Sequence, residues 1–303
     1  MKMNINELKI NYNKIVTPAT EKIDIELKIA RFDQIHPIIS GNKLFKLHFF
    51  MEQFVLSGKK HLITSGGAFS NHLAATSFYA KTNGVSCIGI VRGEKPKKES
   101  HTLSFCREMG MDLRFVSRKE FDELDEKQIA VMLDLPESEI TYVPSGGYHN
   151  IGASGASIMY DLIKNESPTH ILMAMGTGTT MAGFMMANPD NVELIGVSVL
   201  KGMEDWDVRF QYLLKANFCK RPVIWDNYHC GGYAKYDTSL ITMMNDLYNT
   251  HDIKTDFVYT GKMMTAVFQE LKNGYFNPGS KIICVHTGGL QGNLSLSPDL
   301  LSF

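Results

Sequence analysis

The chain has 303 residues, 44% of them apolar and 21% charged, with 31 Lys+Arg against 32 Asp+Glu and a formal net charge of -1. Near-neutral charge without an extended basic face excludes an electrostatic nucleic-acid binder, whose affinity comes from neutralising phosphates, and no window reaches the roughly 18 apolar residues of a membrane span. A chain of this length exceeds the usual size of a single core, so two lobes are expected, in a cytoplasmic protein.

In chain order, the first informative segment is Ser40-Gly41-Asn42-Lys43-Leu44-Phe45-Lys46-Leu47, a polar start running into a helix whose Leu44, Leu47 and Phe50 mark one face. A strand over His61–Thr64 then enters Ser65-Gly66-Gly67, and Asn71–Tyr79 reads as a helix. Val85–Val91 is a strand, Leu103–Met109 a helix, Leu113–Val116 a strand, and Glu120–Leu133 one helix. Ile140–Val143 ends in Pro144-Ser145-Gly146-Gly147, and Ile158–Ile163 looks helical. His170–Met175 is a strand ending in Gly176-Thr177-Gly178, followed by a helix over Met181–Ala187; Leu194–Val199 and Lys281–Val285 are further strands. Short β-branched runs alternating with helical segments predict an α/β protein of two doubly wound parallel-sheet lobes. Ligands of such sheets sit beyond the carboxyl ends of the strands, which is where the glycines lie.

Four turns combine glycine with hydroxyl or amide residues: Ser65 to His72, Ser145 to Gly147, Gly176 to Thr180, and His286 to Gly289. Glycine admits a ligand close to the backbone, and a following helix N-terminus offers free N–H groups to an anion. Gly176-Thr177-Gly178-Thr179-Thr180 is the most phosphate-like. It is not a dinucleotide fingerprint, because Met181 stands where that motif needs glycine, and no triphosphate loop occurs, so a monophosphate cradle is expected and a nicotinamide-dependent dehydrogenase is a distant alternative. Lys43 falls in the first turn of its helix, where the dipole disfavours a cation; this suits a lysine whose lowered pKa allows a Schiff base. The cysteines Cys87, Cys106, Cys219, Cys230 and Cys284 are odd in number and widely spaced, which argues against disulfides or a metal site. Met1 to Asn13 lacks the apolar core of a signal peptide, and the 17 methionines sit in apolar segments, where they fill a core.

Gly41-Asn42-Lys43, Ser65 to His72, Gly176 to Thr180, Tyr259-Thr260-Gly261-Lys262 and His286 to Gly289, in this order from about Arg31 to Gln291, closely resemble the 1-aminocyclopropane-1-carboxylate deaminase/D-cysteine desulfhydrase family. These are pyridoxal 5'-phosphate enzymes with the tryptophan synthase β-subunit-like fold. The resemblance implies a larger cofactor-binding domain from residues 1–53 and 154–303 and a smaller inserted domain from 54–153, in a homodimer. It implies that Lys43 carries the cofactor as a Schiff base and moves the substrate α-proton, and that Gly176, Thr177, Gly178, Thr179 and Thr180 hold the phosphate. Asn71 would bond the cofactor's 3'-oxygen, and Thr287 would face the pyridine nitrogen. Ser70, Asn71 and His72 would receive the carboxylate of an amino-acid substrate, and Tyr259 would stand beside it as an acid/base group. The deaminases typically have glutamate after the site tyrosine and glutamine after Ser-Asn; here Thr260 and His72 stand there. Both point to β-elimination from a D-amino acid, D-cysteine to pyruvate, ammonia and hydrogen sulfide, with a deaminase as the alternative and a non-catalytic cofactor-binding protein as the second.

Overall fold

A computed structural model describes residues 5–188, 192–215 and 220–303. In chain order the elements are β1 (Tyr12–Ile15), α1 (Pro18–Lys22), β2 (Glu26–Ala30), α2 (Asn42–Ser57), β3 (His61–Gly66), α3 (Asn71–Thr82), β4 (Ser86–Arg92), α4 (His101–Glu108), β5 (Asp112–Val116), α5 (Arg118–Asp122), α6 (Glu126–Leu133) and β6 (Ile140–Val143). There follow α7 (Asn150–Ile163), β7 (His170–Met175), α8 (Thr179–Ala187), β8 (Glu193–Ser198), α9 (Trp206–Leu214), β9 (Val223–Trp225), α10 (Thr238–His251), α11 (Thr260–Asn273) and β10 (Lys281–Val285).

The strands form two sheets, one in the order β1-β2-β10-β7-β8-β9 and one in the order β5-β4-β3-β6. All pairings are parallel except β1 with β2 at the edge of the larger sheet. Each sheet is covered on both faces, and the two-residue period of a strand sorts the side chains. Ile171, Met173 and Met175 of β7 enter one core while Leu172 and Ala174 enter another. In the smaller sheet Leu62 and Ile63 divide in the same way.

The strand orders explain where the glycine turns meet. The smaller sheet winds from β3 to β4 and β5 on one side and to β6 on the other, so its direction switches between β3 and β6. The larger sheet switches between β7, which leads to β8 and β9, and β10, which leads to β2. The turns after β3, β6, β7 and β10 are the four glycine-rich segments, and a crevice opens at such a switch.

Several elements differ from the expectation. The single helix over Glu120–Leu133 is two, because Asp125 starts α6 afresh with a reciprocal capping box to Gln128. Helix α7 begins at Asn150, eight residues earlier than expected. Its first turns carry Gly152 and Gly155, which conceal the apolar period yet let helices touch: a Cβ at Gly155 would lie 2.0 Å from the Phe45 carbonyl oxygen of α2. The boundaries at 53/54 and 153/154 fall inside α2 and α7. Cys87, Cys106, Cys230 and Cys284 are free thiols; Cys219 and Met1 to Asn4 lie outside the described residues. No described helix is long and apolar enough to cross a membrane.

Candidate active site

The start of α2 is wedged against the exit of β10. Gly41 has φ +64, and a Cβ there would sit 1.9 Å from the Thr287 carbonyl oxygen, so only glycine fits. The Asn42 N–H donates to that same carbonyl at 3.2 Å. This seat aims Lys43 into the cleft. Its Nζ donates to Asn42 Oδ1 at 2.7 Å, and Asn42 Nδ2 donates to Thr180 Oγ1 at 2.9 Å. One amide therefore spans from the amine to the Gly176–Thr180 turn. Burial lowers the Lys43 pKa to about 8, with Asp256 opposing; loss of water, and not the helix dipole invoked from the sequence, is the main cause. One turn along, Lys46 is buried and donates to the Gly146 carbonyl at 3.3 Å, and burial with the Lys43 charge pushes its pKa well down.

Helix α8 starts at Gly178 with no side-chain cap on its first N–H groups. The hydroxyls of Thr177 and Thr179 bond each other at 2.8 Å, and Thr179 and Thr180 are buried. Trp206 and Phe210 pack against Gly178, and the Tyr259 ring against Gly176. An uncapped helix end inside an apolar collar, with hydroxyls and lysines at hand, is a receptor for an anion.

Across the cleft, Ser70 caps α3 by accepting from Leu73 N–H at 3.3 Å. The buried Asn71 Oδ1 has no partner, and the His72 ring lies against the Val143 and Pro144 backbone. His72 is 2% exposed; burial, then the charges of Lys43 and Lys46, lower its pKa to about 3, so the ring is neutral. The Tyr259 hydroxyl donates to that of Tyr233 at 3.3 Å, and burial raises both phenol pKa values.

All eleven residues singled out from the sequence, Lys43, Ser70, Asn71, His72, Gly176, Thr177, Gly178, Thr179, Thr180, Tyr259 and Thr287, line one cavity of about 430 Å³. Asn42, Lys46, Tyr233, Arg92 and Arg209 line it too and were not assigned from the sequence. For Lys46 the signal was available, since it falls three residues after Lys43 on the same helical face. Tyr233 was marked only by the Gly231-Gly232 pair before it. Thr260, which with His72 departs from the deaminase pattern, stands behind the cleft: it is fully buried, its Oγ1 donates to Asp256 Oδ1 at 2.7 Å and accepts from Asp256 N–H at 2.9 Å, and it does not line the cavity.

A partly desolvated lysine, an open helix N-terminus and a second helix end, gathered at the switch points of two parallel sheets, define a pyridoxal-phosphate enzyme of the tryptophan synthase β-like fold. Residues 21–288 match the family model described as "Pyridoxal-phosphate dependent enzyme", and the chain belongs to that family. It is 27% identical over 298 residues to a Pyrococcus horikoshii protein named "Putative 1-aminocyclopropane-1-carboxylate deaminase", covering 93% of this chain and 90% of the relative. It is 26% identical over 295 residues to the D-cysteine desulfhydrase of Salmonella typhi, covering 90% and 89%. A crystal structure described as an ACC deaminase homologue superposes with a TM-score of 0.82 at 25% identity, over 96% of this chain and 92% of that one. The protein is thus a pyridoxal-phosphate-dependent enzyme similar to proteins named for ACC deaminase and D-cysteine desulfhydrase activity. The uncapped α8 end fits the cofactor, since its free N–H groups are donors that the phosphate of a phosphorylated pyridine would satisfy.

Proposed function

We propose that this protein is a lyase that eliminates the β-substituent of a D-amino acid, foremost D-cysteine, which with water gives pyruvate, ammonia and hydrogen sulfide. One observation carries the choice: no Asp or Glu lies among the described residues that line the cleft. Opening a cyclopropane ring needs acid/base groups beyond the lysine, whereas a thiolate leaves readily because its conjugate acid has a pKa near 8.5. A buried carboxylate close by, Asp256, is turned away, accepting from the N–H groups of Val258, Tyr259 and Thr260.

Pyridoxal phosphate, when bound, supplies the electron sink that makes the substrate α-proton removable. Lys43 Nζ would hold the cofactor, and its amine is placed to take that proton; a pKa near 8 leaves a usable share of neutral amine at neutral pH. The N–H groups at the start of α8 and the Thr177 hydroxyl bind the phosphate. Lys46 supports them: its carbonyl partner Gly146 packs on Thr177, and a phosphate dianion there restores the charge that burial disfavours. Asn71 turns its amide to the 3'-oxygen, Ser70 and the α3 N–H groups orient the carboxylate, and Thr287 offers the ring nitrogen a neutral hydroxyl. Tyr259, kept protonated by burial, and the neutral His72 are the groups within the cleft that can donate a hydrogen bond to the departing sulfur. The homodimer and the cytoplasmic setting belong to the same reading.

The deaminase reading has one observation in its favour, the contacting phenols of Tyr233 and Tyr259, which together make a proton donor and its relay. Side-by-side turnover separates the two. D-Cysteine is expected to release sulfide faster than 1-aminocyclopropane-1-carboxylate releases ammonia, and the reverse order overturns the proposal.

A further inference from the structure

The phenol that meets Tyr259 stands on backbone that does not support itself. Between β9 and α10, Cys230, Gly231, Gly232 and Ala234 have φ of +52, +91, +129 and +52. Two of these carry a Cβ, for which the left-handed region is unfavourable and persists only when the surroundings impose it. Tyr233 sits in the middle of this run, half exposed overall, with its ring edge-on to that of Tyr259 and its hydroxyl in the cleft.

What imposes the conformation is a side chain from behind. Lys262, in the first turn of α11, is fully buried, and its Nζ donates to the carbonyls of His229 and Gly232, each at 2.8 Å. The same two carbonyls also close the loop's own turns, accepting from Gly232 N–H at 3.0 Å and Lys235 N–H at 3.2 Å. Three residues before Lys262 comes Tyr259, whose backbone N–H is pinned by Asp256 Oδ2 at 2.8 Å. One turn of one helix thus fixes both phenols, Tyr259 directly and Tyr233 at arm's length. Burying an ammonium is costly, and a residue that only filled space behind the loop would need no charge.

We propose that Lys262 is a positioning residue: it clamps the loop of residues 229–235 so that the Tyr233 hydroxyl meets that of Tyr259 in the cleft. The inference rests on the reading that these phenols serve the reacting substrate. The test compares Lys262→Met, Tyr233→Phe and the double variant, each loaded with cofactor to the same absorbance. Each single variant is expected to lose about tenfold in kcat with KM within about twofold, and the double to lose no more than about twofold beyond either. Backbone hydrogen exchange of residues 226–236 should accelerate at least about tenfold in Lys262→Met, while β10 is unchanged. Losses that multiply in the double variant, or loop exchange equal to wild type, would overturn the clamp. If the Met variant fails to fold, Lys262→Gln, which retains an amide donor, takes its place: intermediate exchange and kcat are expected, and wild-type exchange with lowered kcat counts against the clamp. Should the parent turn over no amino acid, the functional reading fails, and the exchange result still judges whether Lys262 holds the loop.

Discussion

Helices α3 and α8 both present their N-termini to the cleft, but they are finished differently. Ser70 closes the first turn of α3 with its own hydroxyl. Gly178 offers α8 nothing, and the hydroxyls of Thr177 and Thr179 bond each other and leave the backbone open. Four N–H groups at a helix start need partners, and leaving them without is expensive where water is excluded. The contrast matches the residence of the two proposed guests. A cofactor that stays bound can serve as the cap of α8, whereas a substrate carboxylate comes and goes, so α3 has to be finished when the site is empty.

The most severe break of this comparison removes the group that joins its two sides. Lys43→Ala should lower turnover by about 10³-fold or more and abolish the pyridoxyl adduct that borohydride otherwise fixes, as read by mass spectrometry; an adduct surviving on Lys46 would move the attachment site one turn along α2. With a pKa near 8, the neutral share of Lys43 rises from about a tenth at pH 7 to about nine tenths at pH 9, and the rate of colour development in the apoprotein should follow it. The sign for stability is the same. Between pH 8 and the ordinary lysine value the folded apoprotein holds fewer protons than the unfolded chain, so its stability increases with pH across that window.

A smaller and sharper test exchanges the damage between the helix ends. Thr177→Ala removes a phosphate contact without removing a cap, so cofactor affinity should fall about 10- to 100-fold while the melting temperature of the apoprotein holds. Ser70→Ala should do the opposite, costing about 1 kcal/mol of apoprotein stability and raising KM for the amino acid, with cofactor affinity unchanged. Equal effects of the two substitutions on cofactor titration would show that both ends serve the same ligand.

The parts of this site that were legible in the sequence are those written by local rules. Glycine and threonine after a β-branched run mark a strand end, and parallel winding brings such ends to a switch point. Lys43 was legible because it departs from a helix preference. What escaped are pairings set by tertiary contact alone: Asn42 reaching Thr180, Lys46 reaching Gly146, and Tyr233 reaching Tyr259. Helices α10 and α11, which pack behind the cleft, were missed for a related reason. Met243, Met244, Met263 and Met264 fall in adjacent pairs there, which blurs the helical period. Thr260 shows the opposite hazard. A position that differs between two activities invites a substrate role, yet its hydroxyl is spent on the carboxylate that accepts from the N–H groups at the start of its own helix.

That placement gives the mildest prediction, and it separates the wall of the cleft from its lining. Thr260→Val keeps the shape and removes the two hydrogen bonds that the hydroxyl makes with Asp256, leaving the one from the Thr260 N–H, so a buried carboxylate loses its shortest donor, the hydroxyl at 2.7 Å. Stability should fall by about 1–3 kcal/mol, read by denaturant unfolding. Because the side chain faces Asp256 and not the cavity, the ratio of D-cysteine to 1-aminocyclopropane-1-carboxylate turnover should stay within about twofold of wild type. A tenfold change in that ratio at unaltered stability would give Thr260 a part in substrate choice and support the view that its identity selects the reaction. If stability falls and the ratio holds, the preference has to come from residues that touch the cavity, with His72 and the two phenols first among them.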